Sequence, residues 1–198
     1  MKELLTKVKN FFLCLKYPFL KVYNVWTGKF CGYGFTEYDN LPYGWQQAFG
    51  KQLLEDIKSA YKEDKKKNRH LKWKDALRFT QIKEKYGELC LYADATKKIS
   101  NVLRKYELLS MCYCPNCGKP VRYCTKGWVA YLCEDCFNKY VQEINLSPNE
   151  IDKFRELDRL TIEDIPKSTI YENGEYKEID LEDKYDIDFK KLWDLWKI

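Results

Sequence analysis

The stretch "MCYCPNCGKP", residues 111–120, decides the fold because it contains a Cys-x-x-Cys pair at Cys114 and Cys117. The stretch "LCEDC" repeats that spacing at Cys133 and Cys136, with Cys133 lying sixteen residues after Cys117. Zinc prefers four tetrahedral ligands, and two residues between cysteines allow one tight turn to supply two of them. We therefore predict one structural zinc ion, bound by these four cysteines.

Other uses of these sulfur atoms fit the sequence less well. The chain has nine cysteines, but its early apolar run, residues 11–15, is shorter than the ~7–15 residues of a signal-peptide core. We therefore expect a cytoplasmic protein, and disulfides are rare in that reducing compartment. A redox-active Cys-Pro-Asn-Cys would not require a second matched pair. Cys112 and Cys124 lie outside the pattern, and we interpret them as spare thiols.

The same sequence argues against an enzyme and against a membrane protein. Four cysteines close the coordination shell of zinc, whereas a catalytic zinc keeps an open position. The single histidine, His70, lies 44 residues before Cys114 in a basic stretch, and we expect it on the surface. The chain has no phosphate-binding loop, dinucleotide-binding motif or nucleophile elbow. Its early apolar run is also far shorter than the ~20 residues that span a bilayer. We predict no catalytic residues and no membrane association.

The residues around the cysteines predict a small zinc module over 111–143. "VRYCTKGWVAYL" is typical of two strands joined by a turn at Lys126-Gly127, and "CEDCFNKYVQEI" is typical of a helix that begins at the second cysteine pair. A zinc knuckle is a turn that holds one cysteine pair. A treble clef has a first knuckle, a β-hairpin and a second knuckle at the start of a helix, which is the order predicted here. A zinc ribbon, in which the second knuckle lies on a hairpin, is the alternative.

Before the module, residues 1–110 predict a body of helices and a β-hairpin, so the fold class is α+β. We expect helices over 1–16, 44–63 and 95–111, a hairpin over 77–93, and short strands and turns over 17–44. The apolar positions of these patterns supply the predicted core: Trp45, Phe49, Leu53, Ile57, Ile82, Leu91, Leu103 and Tyr106.

After the module, residues 144–198 predict an acidic α/β extension. "SPNE" has the residues of a helix start, and an apolar stripe follows at Ile151, Phe154, Leu157 and Leu160. "YENGEYKEI" predicts a hairpin, because Asn-Gly suits a type I′ turn. "DFKKLWDLWKI" predicts a short amphipathic helix at the end.

Charge is distributed unevenly along the chain. Residues 1–140 contain 26 Lys and Arg and 14 Asp and Glu, a net charge of +12, whereas residues 141–198 contain 9 and 16, a net charge of −7. Basic side chains contact phosphates, and exposed aromatic rings stack on bases. Against this, Glu134 and Asp135 at the expected helix start disfavour phosphate there. The candidate nucleic-acid-binding residues are Lys65, Lys66, Lys67, Arg69, Lys72, Trp73, Lys74, Lys119, Arg122 and Lys126.

Several segments resemble a family of small bacteriophage and prophage proteins. The resemblance is carried by "KYPFLKVYNVWTGK", "GWQQAFGKQLLEDI", "QIKEKYGELCLY", "KYELLS" and "CPNCGKP…KGWVAYLCEDC", and covers about residues 15–140. It implies zinc-binding cysteines at positions 114, 117, 133 and 136, and a location in the cytoplasm of the host cell. It implies no activity.

Two functions are compatible with these observations. The first is a non-enzymatic, zinc-stabilised phage accessory protein that binds a protein partner, either a host factor or a component of a defence system. The alternative is a nucleic-acid-binding protein that uses the basic body and the zinc module.

Overall fold

The computed structural model describes residues 2–24, 26–125, 129–143, 154–156, 168–172 and 175–179. Over these ranges the chain is α+β, as predicted, with helices packed beside small antiparallel sheets. In the described part of the chain, no helix is both long and apolar enough to cross a membrane.

The first helix, α1 (Lys2–Lys16), confirms the prediction for residues 1–16. It ends two residues before Pro18, which begins a 3₁₀ turn, Pro18–Leu20. Proline disfavours the helical conformation in the residue before it, so the end of α1 follows from the sequence. The side chains of Asn10 and Cys14 are buried and mark the face of α1 that lies against the body.

The prediction of short strands over 17–44 is wrong for the described residues. They contain 3₁₀ turns at Pro18–Leu20 and Glu37–Asn40 and one isolated bridge between Tyr23 and Phe30, with no strand. Local side-chain bonds replace a ladder, since the Asp39 carboxylate accepts from the Thr36 backbone N–H at 2.8 Å.

The predicted helix over 44–63 is confirmed and extends further at its end. It begins as α2 (Tyr43–Trp45), passes through a π turn (Gln46–Gly50) and continues as α3 (Lys51–Lys67). The last turn of α3 is lysine-rich, and positive charge is favourable at a helix C-terminus. The helix therefore continues one turn beyond the predicted apolar pattern.

The predicted hairpin is also confirmed. After a single turn of helix, α4 (Trp73–Ala76), strand β1 (Leu77–Lys85) pairs antiparallel with β2 (Glu88–Ala95). The two turn residues, Tyr86 and Gly87, have φ of 54° and 81°, as a type I′ turn requires.

Helix α5 (Lys97–Ser110) completes the body and confirms the helix predicted over 95–111. It packs against β2 and α3, which places the core between the hairpin and the two helices. All eight predicted core residues are buried: Trp45, Phe49, Leu53, Ile57, Ile82, Leu91, Leu103 and Tyr106.

The four-cysteine module, residues 111–143, follows α5 and has the predicted order of elements. Strand β3 (Tyr123–Thr125) pairs antiparallel with β4 (Tyr131–Leu132), and helix α6 (Glu134–Glu143) begins directly after Cys133. Stacking of Tyr123 on Phe137, with ring centroids 4.0 Å apart, joins the hairpin to the helix.

One prediction for the extension is wrong. We predicted a helix with Phe154 in its apolar stripe, but β5 (Phe154–Glu156) is a strand that pairs antiparallel with β3. Pairing of β5 with β3 satisfies backbone hydrogen-bonding groups of both strands, and this outweighs a local helical pattern. The other stripe positions, 151, 157 and 160, lie outside the described residues, as does the predicted helix start at 147–150.

The second hairpin of the extension is confirmed. Strand β6 (Ser168–Glu172) pairs antiparallel with β7 (Glu175–Ile179), with Glu172 opposite Glu175. The Asn173-Gly174 turn and the predicted terminal helix over 188–198 lie outside the described residues.

Candidate metal centre

The structure brings the four predicted cysteines together. The Sγ atoms of Cys114, Cys117, Cys133 and Cys136 all lie within 4.8 Å of one another. Four sulfurs at ~2.3 Å from a tetrahedral zinc ion stand about 3.8 Å apart, so this cluster fits a Cys₄ site. Cys117 and Cys133 are 3.4 Å apart at Sγ, well beyond the ~2.05 Å of a disulfide.

A tight turn holds the first cysteine pair. The Gly118 N–H donates to the Cys114 carbonyl at 2.8 Å, and the Cys114 N–H donates to the Lys119 carbonyl at 2.8 Å. Gly118 has φ of 81°, a conformation that glycine adopts without steric cost. The knuckle therefore brings both sulfurs of this pair into the cluster.

The start of α6 holds the second pair. Cys133 directly precedes the helix, Cys136 lies in its first turn, and the Phe137 N–H donates to the Cys133 carbonyl at 2.9 Å. Cys114 and Cys133 are buried, whereas the other two ligands are half-buried. One ligand of each pair thus lies inside the module and one lies nearer its surface.

Burial and neighbouring groups shift the pKa values of three thiols in the cluster. Burial acts to raise the pKa of the Cys117 thiol, but the Lys119 backbone N–H and the Cys133 thiol outweigh burial, so this pKa is lowered. Burial raises the pKa of Cys133 to about 11 and also raises the pKa of Cys136. Crowded thiols resist ionising together, and a divalent cation removes that resistance because it binds the thiolate form.

The module contacts the body at the N-terminus of the long helix, which consists of α2, the π turn and α3. The Gly44 N–H donates to the Pro115 carbonyl at 2.7 Å, and the Trp45 indole N–H donates to the Tyr113 carbonyl at 2.7 Å. A Cβ at Gly44 would lie 2.2 Å from the Cys114 carbonyl oxygen, so no larger residue fits. Sequence reasoning placed Trp45 in the core but did not find this contact.

A second contact joins the module to the hairpin of the body. A Cβ at Gly87 would lie 2.7 Å from the ring of Tyr131 and 3.2 Å from the side chain of Val129. The turn between β1 and β2 therefore packs directly on the hairpin of the zinc module. The metal centre is braced against two separate elements of the body.

Two of the residues predicted to bind nucleic acid, Lys119 and Arg122, lie in the described part of the module, and both form ion pairs. Lys119 Nζ lies 2.5 Å from the Asp135 carboxylate, and an Arg122 guanidinium nitrogen lies 2.9 Å from the Glu134 carboxylate. These pairs fasten the first turn of α6 to the residues after the first knuckle. Lys126 lies outside the described residues.

The basic run of the body has a different environment. Six cations of this run are exposed at the end of α3, in the connection that follows and in α4. They are Lys65, Lys66, Lys67, Arg69, Lys72 and Lys74. Among the described residues, no ion pair joins these six side chains to an acidic group.

The other two residues of this region differ from its cations. Trp73 is half-buried, with its ring stacked on Tyr61 at a centroid distance of 3.6 Å, so one ring face is already covered. His70 is exposed in a turn, as predicted.

The two remaining cysteines near the centre do not join the cluster. Burial raises the pKa of Cys112 to about 12, which keeps it a protonated, unreactive thiol. Cys124 is half-buried in β3. All nine cysteines lie in the described residues, and none is in a disulfide.

Comparisons of the chain with models of known protein families, with curated proteins and with solved structures found no match. The resemblance to phage and prophage proteins therefore stays a prediction from the sequence motifs.

Proposed function

We propose that the four cysteines bind one structural zinc ion in a treble-clef-like module. The order of elements supports a treble clef over a zinc ribbon, because the second cysteine pair lies at the start of α6 and not on a hairpin. Four thiolate ligands leave no open coordination position, so zinc contributes folding energy and not catalysis.

On this scaffold the chain acts as a non-enzymatic accessory protein that binds a protein partner. The observation that carries this function is an exposed apolar surface on α1, which we call the N-terminal apolar face. Contiguous exposed apolar surfaces on a folded protein are typical of interaction sites. The residues of this face are Leu4, Leu5, Val8, Phe11, Phe12 and Leu15.

Affinity capture tests this function. The zinc-loaded chain with a C-terminal tag is used as bait in an extract of its natural host, and a zinc-stripped sample and an unrelated tagged protein are the controls. We expect one protein to be enriched by the zinc-loaded chain alone and to bind it again when both are purified. Absence of any such protein in repeated captures contradicts the proposal.

A second candidate function is nucleic-acid binding by the basic run over 65–74, because its six cations are exposed and lie outside the described ion pairs. If six phosphates are contacted, affinity falls on the order of 10³-fold between 50 and 200 mM salt. Electrophoretic mobility shifts at the two salt concentrations measure this, with Lys65→Gln/Lys66→Gln/Lys67→Gln as the test variant. Lys119→Gln/Arg122→Gln is the matched control, since both side chains already have acidic partners. Equal binding by all three proteins excludes this function for the run.

A further inference from the structure

Helix α1 has its polar contacts on the body side and its apolar face on the solvent side. On the body side the Asn10 amide donates to the Asp39 carboxylate at 2.9 Å, and just after the helix the Tyr17 hydroxyl donates to Glu55 at 2.8 Å. On the solvent side Leu5 and Phe12 are 65% and 62% exposed. Helices of single domains normally turn the apolar stripe inward, so this outward stripe indicates a missing partner.

The spacing of this stripe is that of a surface that receives another helix. Leu5, Val8, Phe12 and Leu15 follow at intervals of three, four and three residues, which are the a and d positions of two heptads. All four are exposed, and Leu4 and Phe11 widen the stripe on one side. Side chains in this arrangement form the knobs and holes into which a second helix packs.

Aromatic rings extend the face beyond α1. Phe12 contacts Phe11, Phe11 contacts Tyr33, and Tyr33 contacts Phe30, with centroid distances between 5.0 and 5.4 Å. In the same loop Trp26 is 94% exposed. Aromatic residues are enriched in the centres of protein interfaces, where they supply much of the binding energy.

One edge of the stripe carries a regular row of lysines. Lys9 and Lys16 lie seven residues apart, at one heptad position beside the a and d residues, and Lys2 continues the same spacing in the sequence. Lys9 lies 3.5 Å from Asp39 and Lys16 lies 2.7 Å from Glu55. Both pairs are at the surface, where an ion pair contributes ~0–1 kcal/mol, so a partner carboxylate can compete for the lysines.

The opposite edge has one lysine, Lys7, and it pairs with Glu3 of the same helix at 2.6 Å, whereas the lysine row has no acidic residue of α1 beside it. A membrane-binding helix is expected to have lysines on both borders of its apolar face, next to the lipid headgroups. A second copy of α1 packed antiparallel would bring two lysine rows together, which is repulsive. A helix with one acidic edge matches both edges of this face.

We propose that the N-terminal apolar face binds an amphipathic helix of the partner protein, with apolar residues at its a and d positions and Asp or Glu along one edge. This inference rests on the proposed function and names the surface and the chemistry of the partner. The apolar seam supplies the contact area, and the lysine row selects the acidic partner and its orientation.

Synthetic peptides test the proposal directly on the full zinc-loaded chain. The probe is a fluorescent three-heptad peptide with leucine at a and d and glutamate at e and g, and the matched control peptide has lysine at e and g. Fluorescence anisotropy gives both dissociation constants. We expect the acidic peptide to bind at least tenfold more tightly than the lysine peptide.

Two variants separate the apolar and the charged contributions. Leu5→Gln/Phe12→Gln is expected to weaken acidic-peptide binding at least tenfold, since both side chains are central to the seam. Lys2→Gln/Lys9→Gln/Lys16→Gln is expected to bring the two peptides within about threefold of each other. Lys65→Gln/Lys66→Gln/Lys67→Gln removes the same charge elsewhere and is expected to keep the wild-type preference. Thermal melts and zinc content of each variant confirm that the fold is retained.

Any one of four results overturns the proposal. In the peptide assay, these are no measurable binding of the acidic peptide, or equal binding of the two peptides by the wild type. In the other assays, they are a wild-type dimer in light scattering that Leu5→Gln/Phe12→Gln disrupts, or binding to vesicles with 30% anionic lipid that the same variant abolishes. Failure here is distinct from failure of the proposed function. If Leu5→Gln/Phe12→Gln still captures the same host protein, the function stands and this surface is not its site.

Discussion

At the scale of single residues, the metal centre depends on a glycine that is not a ligand. Gly44 lies where the N-terminus of the long helix meets the first cysteine pair, and its own N–H donates to the Pro115 carbonyl at 2.7 Å. A side chain there would meet backbone atoms of the knuckle, which cannot rotate away. The close approach of the two backbones therefore helps to position the first cysteine pair.

Substitution of Gly44 by alanine is expected to destabilise the chain by about 3 kcal/mol, because the added Cβ forces the knuckle away from the helix. Gly34→Ala is the matched control, since its nearest neighbour would be a lysine side-chain carbon at 3.9 Å. Urea unfolding of both variants gives the comparison, with Gly34→Ala expected within about 1 kcal/mol of wild type. Equal effects of the two substitutions would contradict the packing shown here.

Replacing one ligand tests the metal assignment. Cys117→Ser is expected to lower zinc content from about one ion per chain to well below half and to reduce the free energy of unfolding, because metal binding is coupled to folding. Cys31→Ser changes an exposed cysteine outside the cluster and is expected to leave both quantities unchanged. Elemental analysis of the purified proteins measures zinc directly. A wild-type protein without zinc, purified in the absence of chelator, would refute the assignment.

At the scale of elements, the sequence predicts a helix or strand correctly where its apolar residues lie on one face and that face is buried. The helices that contain Trp45 and Leu103 and the hairpin that contains Ile82 are all confirmed, since each buries the face that its pattern defines. The metal cluster was predictable for a related reason, because the ligand spacing is itself a local geometric requirement.

One wrong prediction and one missed contact share a physical cause. Phe154 has helical spacing to its apolar neighbours, yet β5 forms because the edge of β3, about thirty residues earlier, offers hydrogen-bond partners. Gly44 likewise has no local signal, since its constraint comes from residues 70 positions later. Contacts between distant segments are invisible to a pattern that reads neighbouring residues.

Pairing of β5 with β3 gives a prediction at this scale. A chain that ends at residue 146 keeps all four cysteines but loses β5, so the edge of β3 becomes accessible to water. Hydrogen exchange of the β3 amides is expected to be faster in the truncated chain, whereas exchange in β1 and β2 stays the same and acts as the internal control. Unchanged protection of β3 would show that β5 does not pair there.

At the scale of the whole molecule, the four-cysteine module packs on two separate elements of the body. It contacts the start of the long helix through Gly44 and the tip of the body hairpin through Gly87. These two elements are far apart in sequence, and the module holds both. Zinc binding is therefore expected to stabilise the core residues that contact the module.

Removal of zinc tests this coupling at two tryptophans. The Trp45 indole N–H donates to the Tyr113 carbonyl, so it reports on the contact between module and body. Trp73 lies in another part of the core, where it stacks on Tyr61 and makes a tilted ring contact with Phe19. Their indole signals in ¹⁵N-labelled protein are assigned with Trp45→Phe and Trp73→Phe. On chelation we expect solvent exchange at the Trp45 indole to rise at least tenfold while exchange at Trp73 changes less than twofold. Loss of protection at both would mean that zinc stabilises the entire body. Unchanged exchange at Trp45 in zinc-free protein would show that module and body fold independently, and the coupling through Gly44 would then be wrong.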